Sequence, residues 1–262
     1  MSSTSTSPAN PGASRTALVT GAGRGIGRET AIRLAARGNR VLAVARTADD
    51  LRSLAAAAPV EYLAETVATA AGCARIAAEA TRRLGHVDIL VNNAGVDTGE
   101  LPIWDHLPAT WDHVMAVNLR APYELTRLLS GEMVARRWGR IVMVSSTAGS
   151  VGGPAMAAYC ASKHGLIGLT RAAAHDVAPY GVTVNAVAPG WVRTSMSEQS
   201  AAREADARGL SVEQVWDERA SSYRAGRVAD VAEVASAIDF LVSAEASGVN
   251  GEVITVALGE VW

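Results

Sequence analysis

A strand, a helix and a second strand lie close together near the start of the chain, and this arrangement constrains the fold most. The apolar run Ala17-Leu18-Val19-Thr20 stops at Gly21, and a helical pattern follows from about Gly25 to Arg37. Gly38-Asn39 is typical of a helix C-terminus. Val41-Leu42-Ala43-Val44-Ala45 is apolar on both faces, which predicts a buried strand. Strand, helix and strand within about 30 residues predict a right-handed βαβ unit with parallel strands.

The same alternation continues to the end of the chain. Further strands are predicted at 60–63, 87–91, 140–145, 182–187 and 252–256, and helices at 70–84, 111–137, 158–178 and 228–242. This pattern predicts an α/β fold, one doubly wound parallel sheet with helices on both faces, in a single domain over 15–262. Residues 1–14 are polar and predict a disordered tail. Residues 191–226 break the rhythm and predict either a lid beside the carboxyl edge of the sheet or a surface excursion of two helices.

Charge and hydropathy exclude several classes of partner. The net charge of −2 argues against a nucleic-acid surface. No apolar stretch approaches the roughly 18 residues of a membrane span, and the N-terminus has no signal-peptide pattern. With two cysteines in a chain of this type, Cys73 and Cys160 are expected to be reduced and the protein cytoplasmic.

A glycine-rich turn follows the first strand and indicates a nucleotide site. Thr20-Gly21-Ala22-Gly23-Arg24-Gly25-Ile26-Gly27 has the spacing G-x-x-x-G-x-G, not the dinucleotide pattern G-x-G-x-x-G. In a βαβ context, such a turn predicts a pyrophosphate at the helix N-terminus. A tight turn that uses glycine for steric reasons is the alternative.

The end of the second strand favours NADP(H) over NAD(H). Ala45 occupies the position at which an NAD-binding protein would carry an acidic residue, and Arg46 follows it. Arg46 and Arg24 could together hold a 2′-phosphate. The alternative is that both are solvated arginines.

Lys163 is the only lysine of the chain, and it lies four residues after Tyr159. Residues spaced i, i+4 on a helix share a face, so the two side chains are expected to meet. A neighbouring ammonium stabilises a phenolate, so we expect the pKa of Tyr159 to be lowered from its ordinary value of about 10.

These motifs together resemble the short-chain dehydrogenases/reductases, in their 3-oxoacyl-carrier-protein-reductase-like subgroup. The resemblance covers about residues 15–257. It rests on the glycine turn, Asn92-Asn93-Ala94-Gly95, Asn118, Ser145-Ser146, Tyr159 to Lys163 and Pro189-Gly190. It implies a Rossmann-type sheet of about seven strands, a nicotinamide cofactor, no metal, and a homotetramer or homodimer.

The resemblance also implies four catalytic roles. Tyr159 would be the general acid in reduction, and Ser146 would hold the substrate oxygen. Lys163 would bind the nicotinamide ribose and lower the pKa of Tyr159, and Asn118 would anchor a water that relays protons to Lys163. The structural alternatives are a strand-end turn serine for Ser146 and a helix-kinking asparagine for Asn118.

Further contacts are implied for the cofactor. They fall in the glycine turn, after the fourth strand and after the sixth strand: Gly21, Arg24, Gly25, Ile26, Arg46, Asn92, Ala94, Gly95, Tyr159, Lys163, Pro189, Gly190, Val192 and Thr194. Two segments depart from the family pattern. Family members often carry Asp-Val just after the third strand, with the Asp near the adenine amino group, and this chain has Thr66-Val67 there. Near the C-terminus, Val256-Ala257-Leu258-Gly259 stands where the family often has Val-Asp-Gly-Gly, in a segment that often contributes to tetramer contacts.

The candidate substrate pocket suggests a medium-sized cyclic or aromatic carbonyl compound. Its predicted residues are Val96, Gly152, Gly153, Met156 and Trp191. The two glycines would leave room beside Ser146, and Trp191 would offer a flat apolar wall. For Asp97 we favour a turn cap over a partner for a cationic substrate. Trp104 and Trp111 are expected to serve packing.

The sequence therefore predicts an NADPH-dependent oxidoreductase that transfers a hydride between nicotinamide and a carbonyl or secondary alcohol. Two alternatives stay open. The same four residues could reduce an imine or hemiaminal, or oxidise an alcohol, in a biosynthetic pathway. Without chemistry, the same fold could serve as an NADP(H)-sensing binding protein, although such proteins typically lose the tyrosine or the lysine.

Overall fold

The computed structural model describes residues 14–97, 99 and 101–259, and its centre is one parallel sheet. The strands follow the order β3-β2-β1-β4-β5-β6-β7, and every neighbouring pair is parallel. Their bounds are β1 Thr16–Thr20, β2 Arg40–Ala45, β3 Glu61–Ala64, β4 Ile89–Asn92, β5 Gly139–Val144, β6 Val182–Pro189 and β7 Val253–Val256. The predicted fold class, a doubly wound sheet of seven strands, is confirmed.

Nine α-helices connect the strands in the described part of the chain. They are α1 Gly25–Ala36, α2 Ala48–Ala57, α3 Ala70–Leu84, α4 Pro108–Met115, α5 Ala121–Arg136, α6 Ala157–Val177, α7 Ser195–Arg208, α8 Val212–Ser222 and α9 Val231–Leu241. Short 3₁₀ turns add Ile103–Asp105, Thr147–Gly149, Ala178–Tyr180 and Glu245–Gly248, and a π-helical turn joins α4 to α5 at Ala116–Arg120.

The sheet is buried on both faces because its strands are apolar throughout. Successive side chains of a strand point to opposite faces. Leu18 and Leu42 accordingly join a core with α3, α5 and α6, whereas Val19 and Ala43 join a second core with α1, α2 and α9. Such continuous apolar runs are typical of parallel strands covered on both sides.

Three helical segments differ from the sequence prediction. Helix α2 was not predicted, because its apolar stripe consists of only two buried leucines, Leu51 and Leu54. The helical stretches predicted over 111–137 are two helices with the π-helical turn between them, and the first of them already begins at Pro108. The segment 191–226 contains two helices, as the surface-excursion alternative described, but α7 also lines a cleft.

Two tryptophans are placed differently from the prediction. Trp104 is 80% exposed and Trp111 is 39% exposed, so the packing role predicted for them is wrong. Trp104 lies in the connection between β4 and α4, and Trp111 lies in α4 itself. Residues 1–13 of the predicted tail and 260–262 of the predicted domain lie outside the described residues. No helix of the described chain combines the length and apolarity needed to cross a bilayer.

Candidate active site

A cleft of about 690 Å³ opens at the carboxyl ends of the strands. The strand order reverses between β1 and β4, and ligands of doubly wound sheets bind at such a point. One end of the cleft is lined by the glycine turn after β1 and by the residues that follow β2. The other end reaches α7 and the segment just before α6.

Tyr159 and Lys163 project from α6 into the middle of this cleft. They are one turn apart, and the Lys163 Nζ atom lies 5.5 Å from the centre of the Tyr159 ring. The Lys163 side chain is buried, and Nζ donates a hydrogen bond to the main-chain oxygen of Val144, at the end of β5, over 2.9 Å. The strand end therefore fixes the position of the ammonium.

Burial shifts the pKa of both groups in the direction that favours the neutral side chain: upward for Tyr159 and downward for Lys163. The pKa of Tyr159 is raised to about 12, chiefly by desolvation and in addition by the Asp97 carboxylate, whereas a hydrogen bond with Ser146 lowers it. Desolvation also lowers the pKa of Lys163 to about 8. The expected lowering of the Tyr159 pKa is therefore wrong, because desolvation of the phenolate outweighs any help from the ammonium.

Ser146 lies two residues after the end of β5 and caps the 3₁₀ turn Thr147–Gly149. Its Oγ accepts a hydrogen bond from Ala148 N over 3.1 Å and is also within hydrogen-bonding reach of Tyr159. Gly149 lets this turn lie against α6. A Cβ at Gly149 would stand 2.8 Å from Ile167 Cδ1 and 2.9 Å from the main-chain oxygen of Lys163. Gly149 was not singled out from the sequence, because its importance depends on packing against a distant helix.

Asn118 lies fully buried in the π-helical turn. Its Oδ1 accepts from Val96 N over 2.8 Å, and its Nδ2 donates to Val96 O over 2.9 Å and to Ser162 Oγ over 3.1 Å. Asn118 thus holds the loop after β4 against α6. π-Helical turns occur frequently at functional sites.

The glycine turn presents an uncapped helix N-terminus to the cleft. Helix α1 begins after Arg24, whose side chain does not cap it, and its first turn holds no acidic residue. Gly21 has φ +65°, and a Cβ there would stand 2.8 Å from Ala94 Cα and Asn93 Nδ2. The free N–H groups and the helix dipole favour an anion at this place.

The two candidate arginines lie at the rim beyond this turn and have different surroundings. Arg24 Nε is 2.7 Å from Asp50 Oδ2, in the first turn of α2. Arg46 is exposed and also lines the cleft. The Asp50 carboxylate was missed in the sequence together with its helix.

Most predicted cofactor residues line the cleft, but Asn92 does not. Gly21, Arg24, Gly25, Ile26, Arg46, Ala94, Gly95, Pro189, Gly190, Val192 and Thr194 are among the lining residues, as is Thr66. Asn92 is buried on the face of β4 that carries Leu90, with Nδ2 3.5 Å from Thr126 Oγ1 and 3.3 Å from Met143 Sδ. The prediction that Asn92 contacts the cofactor is therefore wrong for its side chain, which lies in the core. Asn93 lines the cleft instead, and its Nδ2 donates to Thr20 O and Gly21 O.

All five predicted substrate residues line the other end of the cleft: Val96, Gly152, Gly153, Met156 and Trp191. The turn-capping role favoured for Asp97 stays a prediction. Its carboxylate also faces the cleft and pairs with Arg203 of α7 over 3.0 Å. The pair joins the loop after β4 to the helical insertion. Within the described residues there is no cluster of three or more His, Cys, Asp or Glu side chains that could hold a metal.

Comparison with known proteins identifies the family. The model of the short chain dehydrogenase family matches residues 15–205. The chain therefore belongs to the short-chain dehydrogenases/reductases, which are nicotinamide-dependent oxidoreductases. Both the family and the enzyme class predicted from the sequence are confirmed.

Three similar proteins illustrate the match. The 3-oxoacyl-[acyl-carrier-protein] reductase of Salmonella typhimurium is 36% identical over 245 residues, which cover 92% of this chain and 94% of the relative. The crystal structure of levodione reductase has a TM-score of 0.89 at 31% identity and covers 94% of this chain and 96% of its own. An actinorhodin polyketide ketoreductase solved with NADPH has a TM-score of 0.89 at 35% identity, with coverage of 95% and 98%.

The cleft fits the cofactor that this family uses. The uncapped N-terminus of α1 offers N–H groups to a pyrophosphate, and close packing at Gly21 brings the turn against the end of β4. Lys163 Nζ lies beside Gly95, 3.7 Å from where a Cβ would stand, so the glycine leaves space next to the ammonium for a ribose. When bound, the nicotinamide supplies or accepts the hydride.

Proposed function

We propose that this protein is an NADPH-dependent reductase of medium-sized cyclic or aromatic ketones. The observation that carries the proposal is the meeting of Ser146, Tyr159 and Lys163 in one cleft with an uncapped helix N-terminus at its far end. A binding protein without chemistry has no need of a buried lysine beside a partly buried tyrosine, because burying an ammonium is costly.

In reduction, the Tyr159 hydroxyl gives its proton to the substrate oxygen. Its high pKa keeps the hydroxyl protonated at neutral pH, and the hydrogen bond with Ser146 orients it. Ser146 Oγ donates to the same substrate oxygen as negative charge develops there. The positive charge of Lys163 then favours the phenolate that remains on Tyr159.

Asn118 supports this centre from behind. Its contacts fix Val96, at the substrate end, and Ser162, one residue before Lys163. We assign Asn118 the additional role of anchoring a proton relay to Lys163, since a carbonyl oxygen can accept a second hydrogen bond.

The preference for NADPH rests mainly on Arg46. Asp50 pairs with Arg24 at 2.7 Å, whereas Arg46 has no ion-pair partner among the described residues. Arg46 lies at the rim next to Ala45, where NAD-binding proteins carry an acid. The actinorhodin ketoreductase with a TM-score of 0.89 was solved with NADPH, which supports the same preference.

The substrate end supports a cyclic ketone. Val96, Met156 and Trp191 give apolar walls, and Gly152 leaves open space beside the serine. Relatives with a similar fold are named levodione reductase and actinorhodin polyketide ketoreductase. We further propose a homotetramer or homodimer in the cytoplasm, to be tested by light scattering and cell fractionation.

A panel of ketones with NADPH and NADH as alternative cofactors tests the proposal. We expect at least one cyclic ketone to be reduced, and faster with NADPH than with NADH. Tight NADPH binding without turnover of any ketone would instead support a cofactor-sensing protein.

A further inference from the structure

The Trp191 indole has a charged partner behind it that is not part of the catalytic centre. The guanidinium carbon of Arg219, on α8, lies 3.7 Å from the centre of the Trp191 ring. Trp191 lines the cleft, so this stack joins the substrate end to the helical insertion. A role for this stack in substrate binding rests on the proposed function.

Arg219 is 6% exposed, and its hydrogen bonds bind it to α7. Nη1 donates to Ser197 O over 3.3 Å, and Nη2 donates to Ser200 Oγ over 3.2 Å and to Glu204 Oε2 over 2.8 Å. The buried Nε has no hydrogen-bond partner among the described residues. A buried ion pair stabilises a fold less than well-packed apolar side chains of the same size would. Stability alone therefore does not account for an arginine at this position.

The main chain of Trp191 is fixed independently of Arg219. Trp191 N donates to the Tyr223 hydroxyl over 2.7 Å, and Trp191 O accepts from Ala229 N over 3.0 Å. These bonds set the backbone, and the side chain packs against the apolar cluster of Ala201, Ala205, Val215 and Trp216. The stacked guanidinium adds a further constraint on the ring plane, because it covers one face of the indole.

We propose that Arg219 is a positioning residue that holds the Trp191 indole as a fixed flat wall of the substrate end. One indole face is covered by Arg219, so only the other face and the ring edges are available to a ligand. A fixed flat wall favours planar conjugated ring ketones, which stack on it without losing internal rotations, over open-chain ketones of similar size.

The test compares α-tetralone, a planar ring ketone, with methyl hexyl ketone in Arg219→Met and Arg219→Lys. Both variants remove the planar guanidinium, and Arg219→Lys keeps a positive charge near Glu204. Arg193→Met is the matched control, because Arg193 lies over Trp216 at 4.9 Å, is exposed and does not line the cleft.

Two readouts are needed. Calorimetry on the protein saturated with NADP⁺, which cannot reduce a ketone, measures the Kd of α-tetralone. Steady-state kinetics with NADPH separates KM from kcat for both ketones. We expect both Arg219 variants to raise the Kd and KM of α-tetralone about tenfold. The KM of the open-chain ketone, the kcat values and the Kd of NADPH should change less than about twofold, and Arg193→Met should match the wild type.

Several results would overturn the inference: unchanged α-tetralone affinity in both Arg219 variants, equal losses for both ketones, an equal loss in Arg193→Met, or no binding of α-tetralone by the wild type. Failure of both Arg219 variants to fold would also overturn it, since Arg219 would then be structural. Binding of α-tetralone without turnover would contradict the proposed function alone, and the Kd comparison would still decide the role of Arg219.

Discussion

Lys163 Nζ lies 5.5 Å from the centre of the Tyr159 ring and is bonded to the main-chain oxygen of Val144, not to the tyrosine hydroxyl. The ammonium therefore acts on the phenol through space, from a place that β5 fixes. Burial dominates both groups: it raises the pKa of Tyr159 and lowers that of Lys163, which favours the neutral form of each side chain. The site favours a protonated tyrosine that can act as an acid.

The pKa of Lys163 predicts how stability changes with pH. Its folded value of about 8 lies below the ordinary lysine value of about 10.4, so the unfolded chain binds more protons between these values. Stability contributed by Lys163 is therefore present above the upper value and is lost as pH falls through the lower one. Urea unfolding should show the wild type gaining stability relative to Lys163→Met as pH rises across this window. A constant difference between the two proteins would contradict the lowered pKa.

Lys163→Arg should fold normally and lose turnover by about 10²- to 10⁴-fold. Arginine keeps the charge, but its larger planar fork does not fit the compact position between Val144 O and the space beside Gly95. Circular dichroism checks the fold, and steady-state rates with NADPH check the loss. Near-normal turnover would mean that any positive charge suffices at this position.

Arg46→Asp should reverse the cofactor preference. The substitution removes a partner for a 2′-phosphate and places a carboxylate near the ribose hydroxyls. We expect the ratio of kcat/KM for NADPH to that for NADH to fall about 10- to 100-fold. Arg52→Asp is the control, because Arg52 is an exposed arginine on α2 outside the cleft. An unchanged ratio in Arg46→Asp would show that another residue selects the cofactor.

Gly149→Ala should destabilise the fold by about 1–3 kcal/mol, because the new methyl group would press on Ile167 and on the α6 main chain. Gly152→Ala is the matched control in the same loop, since a Cβ at Gly152 meets nothing within 4 Å. Thermal unfolding of both variants measures the difference. Equal melting temperatures would show that the loop moves aside at little cost.

Features of the fold that depend on local pattern could be predicted from the sequence. The strands were predicted from apolar runs such as Val41 to Ala45, and the position of Tyr159 and Lys163 on one helix face followed from their spacing. Helix α2 was missed because only Leu51 and Leu54 mark its buried side, and its Asp50 was missed with it.

Features that depend on tertiary contacts could not be predicted in the same way. Asn92 and Asn93 are neighbours, but the alternation of β4 sends Asn92 into the core, while Asn93 lies just beyond the strand. The raised pKa of Tyr159 results from desolvation by residues far apart in sequence. The stack of Arg219 on Trp191 joins residues 28 positions apart through the packing of α7 and α8, which no spacing rule predicts.

Single-turnover reduction of a ketone by the NADPH-bound protein, compared between wild type and Tyr159→Phe, tests the central claim most directly. The substitution removes one hydroxyl, and NADPH affinity measured alongside controls for an intact cofactor site. We expect the rate to fall by about 10²- to 10⁴-fold with NADPH affinity unchanged. A Tyr159→Phe rate equal to that of the wild type would contradict the assignment of Tyr159 as the proton donor.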